Sequence, residues 1–191
     1  RRQRQMCIRD RYNDIYSDIS KRTGGDIYIG VVGPVRTGKS TFIKRFMDTL
    51  VLPNINDEYV KQRAMDELPQ SAAGRTVMTT EPKFIPREAC VINPAQDISM
   101  KIRLIDCVGF MIDGATGVVE DGKERLVKTP WYDYEIPFSE AAEFGTRKVI
   151  KDHSTVGIVM TTDGSIGELP RDSYKAAEAA TCLLYTSDAA D

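Results

Sequence analysis

Apolar and polar positions switch between two periods along the chain, and each switch marks an element. Positions 27–32 form an apolar run with Gly30 inside it. A central strand covered on both faces has that pattern, so a strand is predicted over 26–32. Phe42, Ile43, Phe46, Met47 and Leu50 then recur at helical spacing and predict a helix to about Leu50, closed by Pro53. Upstream, Ile15 and Ile19 with Tyr16 give a short helix over 13–21 a narrow stripe, ended by Thr23-Gly24-Gly25 because glycine supplies the left-handed cap. Residues 54–69 are charged with few apolar anchors, Met65 and Leu68 among them, and predict a peripheral helix. Residues 70–82 are a loop rich in small residues and hydroxyls.

Next come two strands. Residues 83–85 and 89–93 supply the first, broken by Pro86, and 94–97 is a turn. Ile98, Met100, Ile102 and Leu104 then alternate with Ser99, Lys101 and Arg103, a period of two with one buried face. So short a connection makes the pair antiparallel, since a parallel pair needs a crossover of about a dozen residues. Farther on, residues 139–151 predict a helix with Ser139 at its cap and Ala142, Gly145 and Val149 on one face. Residues 155–161 predict a buried strand, and Pro170 opens a further helix.

The polar residues between the first strand and its helix carry the chemistry. Gly33-Pro34-Val35-Arg36-Thr37-Gly38-Lys39-Ser40 fits the phosphate-loop pattern G-x-x-x-x-G-K-[ST] at every defined position. Its glycines let the backbone curl so that successive N–H groups face an anion. The helix that follows adds its free N–H groups and the positive end of its dipole. Lys39 would reach the β- and γ-phosphates, and the Ser40 hydroxyl would coordinate a magnesium ion shared with them. The implied ligand is a nucleoside triphosphate, contacted by Gly33, Arg36, Thr37, Gly38, Lys39, Ser40 and Thr41. A second motif, D-x-x-G, follows the alternating strand at Asp106-Cys107-Val108-Gly109. Ligands of doubly wound sheets bind at the carboxyl ends of strands, so Asp106 should converge on the phosphate loop. Its carboxylate would support the magnesium and the Gly109 N–H would contact the γ-phosphate.

The fold class is therefore α/β, a P-loop NTPase of the switch-GTPase type, with a mostly parallel sheet and one antiparallel strand. The elements that should follow are missing, so the chain is read as truncated on its C-terminal side.

Composition changes this picture only at the ends. With 191 residues, 41% hydrophobic and 28% charged, the chain suits a single soluble domain. No run approaches the ~20 apolar residues of a membrane span, the Arg-rich start lacks the apolar stretch of a secretory signal, and a cytoplasmic protein is expected. The net charge of −2 hides +4 over residues 1–11, leaving −6 on the rest. A body of that sign is unlike a nucleic-acid binder. Residues 1–11 and 181–191 do not continue the adjoining pattern and are read as foreign or disordered tails around a partial domain over 12–180. Cys7, Cys90, Cys107 and Cys182 have no C-x-x-C spacing and only His153 for company, so zinc is not expected and the thiols are read as structural and reduced. His153 is read as a solvated helix end. Residues 110–137 hold three glycines, charged runs and the aromatics Trp131, Tyr132 and Tyr134. Trp131 is expected to pack an inserted hairpin against the body rather than to form a lid or partner surface.

The run from Thr23-Gly24-Gly25-Asp26 through the phosphate loop to Thr41-Phe42 resembles the stage IV sporulation protein A family. So do Asp66-Glu67-Leu68-Pro69-Gln70-Ser71-Ala72-Ala73-Gly74, Thr79-Thr80-Glu81-Pro82-Lys83-Phe84, Asp106-Cys107-Val108-Gly109, Thr129-Pro130-Trp131-Tyr132 and Ile150-Lys151-Asp152-His153-Ser154-Thr155. The likeness covers about residues 13–177. It implies an ATPase, in a clade otherwise made of GTPases, that polymerises on hydrolysis to build the basement layer of the spore coat. It also implies a mother-cell cytoplasmic location at the forespore surface, with a small amphipathic forespore-membrane peptide and other coat proteins as partners. By motif, Lys39 and Ser40 match the family's phosphate loop, Asp106 its magnesium-site aspartate, and Thr79 and Thr80 its threonines needed for hydrolysis. Such hydroxyls suit a loop that senses the γ-phosphate and its magnesium. The residues do not choose between the two threonines; Thr80 is carried as a metal ligand beside Ser40 and Asp106. The preference for ATP over GTP rests on the resemblance alone. A nucleotide-stabilised scaffold without turnover and a GTP-hydrolysing switch are the alternatives.

Overall fold

A computed structural model describes residues 21, 23–69, 81–95, 98–112, 115, 119–120, 122–163, 165 and 170–188. The expected helix over 13–21 lies outside them except at Lys21, and so does nearly all of the hydroxyl loop.

Strand β1 (Asp26–Val32) is the centre of a four-stranded sheet. Ile27, Ile29 and Val31 join the core on one face and Val32 the smaller core on the other, which is why the apolar run shows no alternation. β2 (Lys83–Ala95) and β3 (Ile98–Asp106) form the antiparallel pair. β3 lies parallel to β1, as does β8 (Val156–Val159), and the order is β2-β3-β1-β8. The sheet is thus mixed and mostly parallel, as expected.

Several boundaries differ from the sequence reading. β2 is one strand rather than two pieces: the ladder slips between Ile85 and Cys90, and Pro86 sits at that irregularity. A residue without an N–H is tolerated there, because β2 is an edge strand and the slip leaves no ladder bond for it to make. β8 is shorter than 155–161 and only partly buried, with Val156 exposed. As the other edge of the described sheet, it has a neighbour on one side only.

Helix α1 (Lys39–Phe46) continues as a π-helical turn through Val51 and a 3₁₀ turn over Leu52–Asn54. It drives Ile43, Met47 and Val51, all fully buried, into the larger core. The peripheral helix α2 (Glu58–Asp66) starts at Asp57, whose Oδ1 accepts from Tyr59 N at 2.8 Å and Val60 N at 3.1 Å. That cap satisfies two donors that the helix leaves open. Asp57→Ala is expected to lower stability by about 1 kcal/mol, read from the urea midpoint; no shift would mean that packing of Val60 and Ala64 on the core holds the helix without the cap.

The stretch after β3 contains two small antiparallel ribbons, β4 (Val119–Glu120) with β5 (Lys123–Glu124) and β6 (Leu126–Thr129) with β7 (Tyr132–Pro137). Val127 and Ile136 of the second ribbon pack on Phe138 and Ala141 of α3 (Phe138–Lys148). At the ribbon tip the Trp131 ring lies 5.2 Å from Phe144, so Trp131 fastens the insertion to the body, as expected. Ser139 does not cap α3. Pro137 occupies that position, and the Ser139 hydroxyl bonds Glu124 instead. Proline fixes a suitable φ, and the preceding strand enters the helix without a side-chain cap. The α-helix stops at Lys148, and a π-helical turn carries the chain from Val149 to His153. His153 is exposed and stands edge-on to Phe84. The last helix, α4 (Asp172–Asp188), begins two residues after Pro170.

Candidate nucleotide-binding site

Sheet geometry puts the ends of β1 and β3 side by side, with Val31 paired to Asp106. The loop after β1 is fixed from several directions. Val35 N donates to Phe110 O at 2.9 Å, and the Val35 side chain packs with Phe110, Ile112 and Tyr174. The buried Thr37 hydroxyl donates to Pro34 O at 2.9 Å. Met160 N donates to Val32 O at 2.8 Å, which brings the Met160 carbonyl within 2.3 Å of where a Cβ on Gly33 would lie. Gly33, at φ 142°, is therefore required both by its dihedral and by its space. Arg36 has φ 62° and Gly38 φ 86°, so the loop turns twice through the left-handed region before α1 starts.

Lys39 is buried, and its Nζ donates to the carbonyls of Gly33 at 3.2 Å and Pro34 at 2.5 Å. Burial pushes its pKa down, against the opposing influence of Cys107 and Asp106. Ser40 Oγ donates to Asp106 Oδ2 at 2.5 Å, while Asp106 Oδ1 is buried without a hydrogen-bond partner. Burial pushes the Asp106 pKa up, and the Ser40 hydrogen bond and then the Lys39 and Lys83 charges pull it back. Gly109, at φ 91°, lies directly against the Gly33 carbonyl and the Lys39 ammonium.

A carboxylate oxygen left without a partner beside a serine hydroxyl is a hard-oxygen pair that fits magnesium, which takes few protein ligands. Among the described residues no cluster of three His, Cys, Asp or Glu could hold a metal by itself. The curled backbone and the buried ammonium beside it fit the phosphates.

The structure thus brings together Gly33, Gly38, Lys39, Ser40, Asp106 and Gly109. Thr37 lies inside the loop as a structural hydroxyl, Arg36 is half-buried, and Thr41 is exposed in the first turn of α1. Thr79 and Thr80 lie outside the described residues. The sequence reading overlooked three neighbours. Met160 closes on Gly33, Cys107 lies behind the site with its Sγ donating to Val31 O at 3.2 Å, and Lys83 is paired with Asp106 across the β2–β3 ladder. Only Lys83 had a usable signal, the antiparallel pair itself, and the slip at Pro86 hid its register. Of the cysteines in the described residues, Cys90 and Cys107 are buried and Cys182 is exposed. No described helix is long and apolar enough to cross a membrane.

The family model for the stage IV sporulation protein A ATPase domain matches residues 10–184. Stage IV sporulation protein A of Bacillus anthracis is 61% identical over 165 residues, which cover 86% of this chain and 34% of that relative. The protein of the same name from Bacillus subtilis (strain 168) is 59% identical over 165 residues, with the same coverage. Its counterpart from Clostridioides difficile (strain 630) is 59% identical over 162 residues, 85% of this chain and 33% of the relative. The chain spans about a third of the length of these curated relatives. No solved structure matches it.

Proposed function

Because the chain belongs to the stage IV sporulation protein A ATPase-domain family, we propose that it binds and hydrolyses ATP and that this turnover drives self-assembly of the spore coat basement layer. The observation that carries the reading is the buried Lys39 ammonium, held inside a phosphate-type loop beside an Asp106 carboxylate with one oxygen unpartnered.

The chain's own groups divide the work. Lys39, now bonded to two loop carbonyls, would exchange them for phosphate oxygens. The loop N–H groups around Gly33 and Gly38 would hold the phosphates in line for attack by water on the terminal phosphorus. A new P–O bond to water then forms as the bond to the departing diphosphate breaks. Charge on the phosphoryl oxygens is offset by donors already in place, which is where most of the acceleration in such reactions originates. Ser40 and Asp106 would hold magnesium, which on binding neutralises phosphate charge; Thr80, with Thr79 beside it, is proposed to complete that group. Arg36, Thr37, Thr41 and Gly109 are proposed as further nucleotide contacts.

By the resemblance, the product is a polymer of this protein on the forespore surface within the mother-cell cytoplasm, in contact with a small amphipathic membrane peptide and other coat proteins. Phosphate release by the full chain with ATP or GTP and magnesium tests the reaction, and sedimentation with ATP or a non-hydrolysable analogue tests its coupling to assembly. Release from ATP and polymer only with hydrolysable nucleotide is the expected result. Equal polymer with the analogue would favour a scaffold, and preferential release from GTP would favour a switch.

A further inference from the structure

Lys83 opens β2 directly opposite Asp106. The next pair on that face is Ile85 with Leu104, both buried in the core under α1. Residues facing each other across a ladder share a face, so Lys83 and Asp106 stand on the α1 side of the sheet, at the end where Ser40 meets Asp106. The root of the lysine is held on both flanks. Pro82 and Trp131 both lie over Gly145, with ring atoms 3.5 and 3.3 Å from where its Cβ would be. On the other side, the Arg103 guanidinium sits 4.4 Å over the Phe84 ring. The tip of Lys83 is exposed, and its charge acts on the Asp106 carboxylate across the ladder. Lys101, on the neighbouring strand, is paired with Asp26 at 3.7 Å.

A fixed root and an exposed cationic tip whose charge already reaches the magnesium-type carboxylate suit a group that meets an anion in the site. Among the described residues of the phosphate loop, the buried Lys39 and the half-buried Arg36 are the cations that meet a triphosphate, while Asp106 adds negative charge of its own. We infer that Lys83 is a further catalytic residue, its ammonium contacting the terminal phosphate from the β2 side and stabilising the phosphoryl charge as the bond to the departing diphosphate breaks. It forms no covalent bond. The inference rests on the reading that the loop binds a nucleoside triphosphate.

Lys83→Gln and Lys83→Arg in the full chain test it, with affinities for a non-hydrolysable ATP analogue and for ADP measured by calorimetry beside kcat and KM. The Gln variant is expected to bind the analogue about 10-fold more weakly and ADP less than about 2-fold more weakly, and to lose about 10-fold in kcat. The Arg variant should recover analogue affinity. Equal losses on both nucleotides, or none on either, would overturn the inference. If the wild-type chain binds neither nucleotide, the underlying reading fails and the inference with it. Analogue binding that depends on Lys39 but not on Lys83 removes the inference alone.

Discussion

Phosphate release is expected to fall by at least about 10³-fold when Lys39 is replaced by alanine, with nucleotide binding lost at micromolar concentrations. The size follows from placement. Lys39 is the buried cation of the loop, its ammonium already desolvated and bonded to the Gly33 and Pro34 carbonyls. A charge in such surroundings acts on an incoming phosphate with little screening by water. The same burial makes the side chain a poor contributor to the nucleotide-free fold, since its pKa is depressed and its charged form costs free energy there. Its removal leaves the Gly33 carbonyl without that donor, whereas Pro34 O keeps the Thr37 hydroxyl. Stability without nucleotide is therefore expected to change by no more than about 2 kcal/mol in either direction. A melting curve near the wild-type one together with absent turnover would separate loss of chemistry from loss of fold. Unchanged phosphate release would end the reading of this loop.

How much of this was legible beforehand depended on whether a feature is local. The loop, its flanking strand and helix, the antiparallel pair and Asp106 at a strand end all follow from spacing within a few residues, and the structure places them as expected. The misreadings share a cause, which is dependence on a partner far along the chain. Pro86 is a strand breaker by its own chemistry, yet an edge position and a slipped register let β2 run through it. Ser139 has the composition of a cap, but Glu124 of the β4–β5 ribbon takes its hydroxyl. The apolar residues of β8 suggested burial, which requires cover over both faces of the strand, and that cover comes from elements far along the chain and is only partial at β8. Within the site, the same limit hid Met160, whose spacing and type do not show that it meets Gly33, and Lys83, whose place opposite Asp106 was concealed by the slipped register at Pro86.

Gly109→Ala is expected to cost at least about 3 kcal/mol of stability, and Gly122→Ala about 1 kcal/mol, although both glycines have positive φ. The comparison isolates space from dihedral. Nothing lies within 4 Å of where a Cβ on Gly122 would be, so alanine there meets only the strain of the left-handed backbone. At Gly109 the same atom would fall 2.0 Å from the Gly33 carbonyl oxygen and 2.7 Å from Lys39 Nζ. The first of these is backbone and cannot rotate away, and Gly33 is itself backed by the Met160 carbonyl, so the phosphate loop must move as a unit. Any such shift also displaces Lys39, and a misplacement near 1 Å in a site that works by positioning costs about 10²-fold in rate. Urea midpoints of the two variants, with phosphate release measured on each, check both halves. Gly122→Ala should keep full activity. A Gly109→Ala variant as stable and as active as Gly122→Ala would show that the D-x-x-G turn does not press on the loop, and the close approach of the two motifs on which the site depends would be wrong.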